Sequence, residues 1–382
     1  MGVVHTATAA PHRARRRVAS AAILAAAVCA VSASPAHADD HGRGGVEVSQ
    51  RNLVADNATF GADVVDPALV NAWGMSKLAA SPVWVSDNGT DTSTLYSGPT
   101  ATAGVAKVGL TVTMDGPPTG QVANTTTGFA LTNGLPARFI FALEDGRISA
   151  WNQQAGTIAE QKAAVAGGVF KGLTQANVGA DAFLYAADFA NGTIDVFDSS
   201  WKQVDWHGAF RVRHLPRGFA PFNVQALTDP HGVQHVFVAY AKRNQATNDE
   251  IAGRGLGLVA EFTTSGRLLQ TFDGHDMNAP WGLAFAPESW GRAAGDLLVG
   301  QFGNGRIEMY DTRRGDHVGT VDDATGRALV IDGLWALMAG DSTAGGVGTM
   351  LFTAGPNDEA DGLYGVLSVL PAVQHDDGGH GD

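Results

Sequence analysis

Apolar residues along the chain come in short runs of Val, Ile, Leu, Phe and Tyr, separated by Gly, Asn and Asp, with almost no helical periodicity. The runs share one grammar: an apolar strand, a small residue, a polar turn and, in most cases, a second strand that ends on an aromatic residue and Asp or Asn. They start at Val83, Phe139, Phe183, Val236, Leu297 and Met350, at spacings of 44 to 61 residues. Asp145-Gly146, Asn191-Gly192 and Asn304-Gly305 supply the positive-φ residues of tight hairpins. Ahead of each run lies a further short strand: Asn71–Met75, Thr127–Leu131, Lys171–Thr174, Asn223–Leu227, Trp281–Phe285 and Gly333–Leu337.

Repetition at this period predicts an all-β, six-bladed β-propeller of four-stranded antiparallel blades, with those six strands innermost. The segment beginning at Val46 is expected to add an outer strand to the last blade and close the ring, removing exposed sheet edges. A pair of β-sandwiches is the rival, but it predicts no recurring inner strand. The expected boundaries are a signal peptide over 1–38, a flexible stretch over 39–45, the propeller over 46–371 and a disordered acidic, His-containing tail over 372–382.

The first expectation rests on Arg13, Arg15, Arg16 and Arg17, the Ala-rich run Val18–Val31 and the A-x-A pattern at Ala36–Ala38. Cleavage after Ala38 would give a secreted, extracellular protein without a membrane span. It would also remove Cys29, the one cysteine, and with it disulfide and thiol chemistry. The whole chain has a formal charge of −13; without residues 1–38 it keeps 21 Lys and Arg against 38 Asp and Glu, a charge of −17. Such a surface repels phosphate backbones, so nucleic acid is not an expected partner. A monomer is the expected state.

The phrases N-A-W-G-M (71–75), V-W-V-S-D-N-G-T (83–90), N-G-T-I-D-V-F-D-S-S (191–200), G-F-A-P-F-N-V-Q (218–225) and F-T-A-G-P-N-D-E-A-D-G-L (352–363), with four more between them, resemble a family of exported bacterial β-propeller proteins of uncharacterised function. Some of its members end in a PEP-CTERM sorting tail. The set is more distantly similar to NHL-repeat propellers. The resemblance implies fold and export and carries no activity. No PEP-CTERM tripeptide follows Leu370, which favours release over surface sorting.

Propeller geometry places the starts of inner strands and the ends of their neighbours at one mouth of the channel. The residues assigned to a ligand site there are Asn71, Trp73, Asp87, Asn88, Lys171, Asn223, Gln225, Trp281, Asn304 and Trp335. Indole faces, amides and carboxylates suit an extracellular small molecule, a glycan or a protein; the same Trp residues equally suit packing between blades. Asp87, Glu144, Asp188 and Asp358 form a second set, oxygen donors for Ca2+ or Mg2+, which would imply a divalent-metal hydrolase of lactonase type. The competing role for these carboxylates is turn hydrogen bonding. The sequence has no G-x-S-x-G elbow and no H-E-x-x-H spacing. Asn244–Gly257 is the longest insertion and lies within the fourth blade.

Overall fold

The computed structural model describes residues 45–100, 103–272 and 274–371. The expected signal peptide, Cys29, the cleavage site at Ala38 and the tail 372–382 lie outside the described residues.

Four sheets have four antiparallel strands each. The first is Ala72–Ser76, Val83–Asp87, Thr92–Ser97 and Ala106–Thr113; the second is Pro118–Ala123, Phe139–Leu143, Arg147–Trp151 and Glu160–Ala164. The third is Phe170–Val178, Asp181–Asp188, Thr193–Asp198 and Gln203–Val204; the fourth is Phe219–Thr228, Gln234–Lys242, Gly257–Thr263 and Leu268–Thr271. A fifth, nine-stranded sheet has two halves. Pro280–Phe285, Leu297–Gln301, Ile307–Tyr310 and His317–Asp322 make one, and Leu334–Ala339, Met350–Ala354, Leu363–Val369 and Val46–Ala55 the other, with Val64–Val65 as a ninth, short strand parallel to the end of Val46–Ala55. Val46–Ala55 runs antiparallel to Leu363–Val369, and its first residues bridge in parallel to Val321 and Asp322. The N-terminal strand therefore completes the last sheet, as the sequence predicts.

One inner strand differs from expectation. In the second sheet it is Pro118–Ala123, and Thr127–Leu131 is a loop. Phe129 there adopts φ of 60° and is fully buried, packed edge-on against Trp201. Two prolines at 117 and 118 mask the true strand, because proline reads as a strand breaker; as the first residue of a strand it is tolerated.

The inner strands pack so closely that side chains are excluded at specific points. A Cβ on Gly120 would lie 2.2 Å from the Leu173 nitrogen, and one on Gly172 would lie 2.1 Å from Asn223 Oδ1. A Cβ on Gly74 would meet the Thr119 carbonyl, and one on Gly282 the Trp335 carbonyl. Asn223 Nδ2 donates to the Trp281 carbonyl at 2.7 Å, and Thr353 Oγ1 donates to the Trp73 carbonyl. Each sheet is thus tied to the next, and the last to the first. The hydrophobic core is correspondingly divided among the faces between consecutive sheets. Trp84, Leu95 and Val112 meet Phe139, Phe141 and Trp151 at one such face, and Ile140 and Ile148 meet Leu173 and Leu184 at the next.

Candidate functional site at the channel

At the start of the inner strands the chain gathers a polar cluster over a layer of tryptophans. Asn71, at φ of 49°, uses Nδ2 to reach Asn88 Oδ1 at 3.2 Å and Glu359 Oε2 at 2.9 Å. Asn88 Nδ2 in turn donates to Glu144 Oε2 at 3.2 Å. Lys171 Nζ pairs with Glu144 Oε1 at 2.5 Å and lies 5.0 Å from the centre of the Trp73 ring. Burial works to lower the Lys171 pKa, but the carboxylates of Glu144, Glu250 and Glu359 outweigh it and hold the ammonium above the ordinary lysine range. Glu250 belongs to the insertion after Lys242, which is anchored where Gly253 N–H donates to Asn278 Oδ1 at 2.6 Å.

Beneath this cluster, Trp73 stacks on Trp335 with ring centres 3.8 Å apart, and Trp281 meets both edge-on. Trp335 also stacks on Phe302 at 4.0 Å. Trp335 Nε1 donates to Asn71 Oδ1 at 2.9 Å and Trp281 Nε1 to the Lys171 carbonyl at 3.0 Å. The three tryptophans are at most 4% exposed, so they pack the channel rather than present indole faces to solvent at this mouth.

At the far ends of the same strands lies a cavity of about 310 Å³. All the inner strands contribute to it. Its polar lining includes Gln121, Gln175, Gln225, Gln234, Asn177 and Thr126, and its apolar lining includes Met75, Leu283 and Trp281. Among the described residues no carboxylate lines it, and Lys77 is its one charged lining residue. Lys77 Nζ is held at 2.5 Å by Asp341. Burial works to raise the Asp341 pKa, but the bonds from Lys77 and Thr343 overcome it and lower the carboxyl below its usual range. Gln121 is fully engaged, its Nε2 donating to the carbonyls of Gly74 and Trp84 and to Ser86 Oγ. The Gln225 side chain makes no hydrogen bond to protein among the described residues, so it retains its capacity for a ligand.

The residues assigned from sequence therefore separate. Asn71, Trp73, Asn88, Lys171 and Trp335 come together with Glu144 at the strand-start mouth. Asn223, Gln225 and Trp281 line the cavity on the other side. Asn304 stands apart in its hairpin turn, where Oδ1 accepts from the Arg306 N–H at 3.2 Å.

The four carboxylates assigned to a metal do not converge. Asp87 is fully buried inside the first sheet, accepting from Thr92 and Thr94 at 3.1 Å each. Thr94 continues to Tyr96, whose hydroxyl donates to Asp66 at 2.7 Å, and Lys107 pairs with Asp66 at 2.7 Å. Burial pushes the Asp87 carboxyl well above its ordinary range. Asp188 caps its own turn, accepting from the N–H groups of Val169 and Asn191. Asp358 is exposed at φ of 54° in the turn Pro356–Glu359. Among the described residues no group of three or more His, Cys, Asp or Glu side chains is arranged to hold a metal. Turn chemistry and internal networks account for the positions that sequence reasoning gave to Ca2+ or Mg2+.

Of the cavity glutamines, sequence reasoning assigned Gln225 and left out Gln121, Gln175 and Gln234. A signal was present: Gln121, Gln175 and Gln225 recur on the inner strands of the second, third and fourth sheets.

No family model matches the chain. Two uncharacterised proteins of Acanthamoeba polyphaga mimivirus are each 28% identical to it; one alignment covers 83% of this chain and 79% of the relative, and the other 84% of each. These relatives are viral and lend no support to the bacterial origin or the sorting-tail kinship implied by the sequence resemblance. Among solved structures, the chain is similar to the GH93 α-L-arabinofuranosidase of Fusarium graminearum with arabinobiose, at a TM-score of 0.52 and 9% identity over 84% of this chain and 97% of that one. It is also similar to the α-L-arabinanase of Penicillium chrysogenum complexed with arabinobiose, at a TM-score of 0.51 and 9% identity over 84% of this chain and 98% of that one. At this identity the likeness speaks for the fold alone, which is of β-propeller type.

Proposed function

We propose that this chain is an exported, monomeric six-bladed β-propeller that binds a neutral, hydroxyl-rich small molecule or glycan in the cavity at the ends of its inner strands. The observation that carries the reading is the lining itself. A concave site with free amide capacity, hydroxyls, apolar side chains and no carboxylate matches an uncharged ligand whose hydroxyls need donors and acceptors at once. The rigid inner strands that hold these groups supply the preorganisation a binding site requires. The cyclic ties between inner strands support the blade count, with Val46–Ala55 as outer strand of the sixth blade. Short outer strands such as Gln203–Val204 and Leu268–Thr271 offer little edge to a partner, which supports a monomer. The arginine-led, Ala-rich segment ahead of Asp39 supports export.

The test is calorimetric titration of the full chain with neutral disaccharides, arabinobiose among them, for wild type and Gln225→Leu. Binding that Gln225→Leu weakens at unchanged melting temperature is the expected result. A disaccharide that binds both proteins equally, or a series of neutral sugars that binds neither, overturns the reading.

A further inference from the structure

The linker between the third and fourth sheets helps to bring three arginines to one groove of this acidic chain. Its residues alternate between core and solvent: Phe210 is buried, Val212 and Leu215 pack partly into the same core, and Arg211 and Arg213 between them are exposed. Phe210 anchors the segment firmly. Its N–H donates to the Gly266 carbonyl at 2.8 Å, and its ring packs on Tyr185 and Phe262. Gly266 belongs to the turn before Leu268–Thr271, and Arg267 follows it, also exposed. Arg211, Arg213 and Arg267 thereby line one open groove of about 610 Å³ together with Trp206 and His207.

Several surface arginines are paired with acids, as in Arg51–Asp63, Arg147–Asp115, Arg254–Asp276 and Arg314–Asp316. Among the described residues the three groove arginines have no such partner. The acid nearest in sequence, Asp205, lies 3.1 Å from His207 Nδ1. Three unpaired guanidiniums on a fixed backbone form a fork array for oxyanions, because each can donate two parallel charge-assisted hydrogen bonds.

We propose that this groove is a second binding site, for the sulfate or carboxylate groups of an anionic glycan. The negative charge of the remaining surface limits the ligand. A long polyphosphate would extend beyond the groove over like charge, whereas a glycan with spaced anionic groups places them on the arginines and its rings beside Trp206. The site is separate from the channel cavity: the two share no lining residue.

The test titrates a sulfated hexasaccharide, its desulfated counterpart and a single-stranded oligonucleotide against the full chain. The proteins are wild type, the triple variant Arg211→Gln, Arg213→Gln, Arg267→Gln, and Arg254→Gln as a control at a paired arginine. All four positions are on the surface, so melting temperatures should agree and certify folding. Binding of the sulfated sugar, lost at least about tenfold in the triple variant and unchanged in Arg254→Gln, is expected, since each charge-assisted bond is worth on the order of tenfold. The proposal is overturned if the sulfated sugar does not bind, if the desulfated one binds as well, or if Arg254→Gln loses as much. Tighter binding of the oligonucleotide than of the sugar overturns the glycan assignment in favour of a polyphosphate.

Discussion

Trp335 donates its indole N–H to the amide oxygen of Asn71 across 2.9 Å, although 264 positions separate them in the chain. The bond joins the last inner strand to the residue that opens the first one. The same amide uses its nitrogen for Asn88 and Glu359, so Asn71 is nearly saturated while 3% exposed. Replacing Asn71 by Ala strips partners from a buried indole and a carboxylate. A loss of about 1–3 kcal/mol is expected, read by urea denaturation; an unchanged midpoint would show that the ring closes without this bond.

Lys171 and Glu144 give a second prediction. Lys171→Met leaves Glu144 beside a tryptophan layer without its cation, and the expected cost is on the order of 3 kcal/mol. Adding Glu144→Gln to that variant should recover part of the loss, because the uncompensated charge is then gone. If the double variant is as unstable as the sum of the singles, the two residues are not coupled.

A pH dependence follows from Asp195. Burial, and then the neighbouring Asp188 carboxylate, push its pKa up from 3.8 to about 7. The folded chain therefore holds a proton that the unfolded chain releases earlier. The resulting penalty is absent below about pH 4, grows from pH 4 to pH 7 and is full above pH 7. Asp195→Asn should match wild type in stability near pH 3.5. It should exceed wild type at pH 8 by on the order of 2 kcal/mol, discounting screening at this half-buried site. Parallel melting curves for the two proteins across that range would refute the assignment.

Close packing of inner strands can be tested at Gly172. An alanine there would place its Cβ 2.1 Å from Asn223 Oδ1 and 2.8 Å from Asn223 Cα. Backbone must move, so Gly172→Ala is expected to cost about 1–3 kcal/mol or more. Gly156, whose Cβ would meet nothing within 4 Å, offers a contrast in free space, though its φ of 72° makes any side chain there strained.

The repeat, the hairpins and the closing N-terminal strand were legible in the sequence because each is a local property. Gly146, Gly192 and Gly305 all adopt positive φ, between 71° and 77°, where Asp-Gly and Asn-Gly pairs call for it. Phe129 was misread as strand because nothing local says that an aromatic residue between Gly and Ala will be driven to positive φ by its burial against Trp201. Asp87, at the end of a second strand, and Lys171, near the start of an inner strand, lie at the same end of their sheets and have opposite surroundings. One is sealed inside its sheet by Thr92 and Thr94, and the other is met by glutamates from separate segments. Which end of the channel stays open was likewise decided by tertiary structure. Polar residues stand at both ends of the inner strands, but Trp73, Trp281 and Trp335 converge only through ring closure. Their stacked volume fills the strand-start side and leaves the cavity beside Gln225, because empty space is a property of packing among distant side chains and has no signature in any one stretch of sequence.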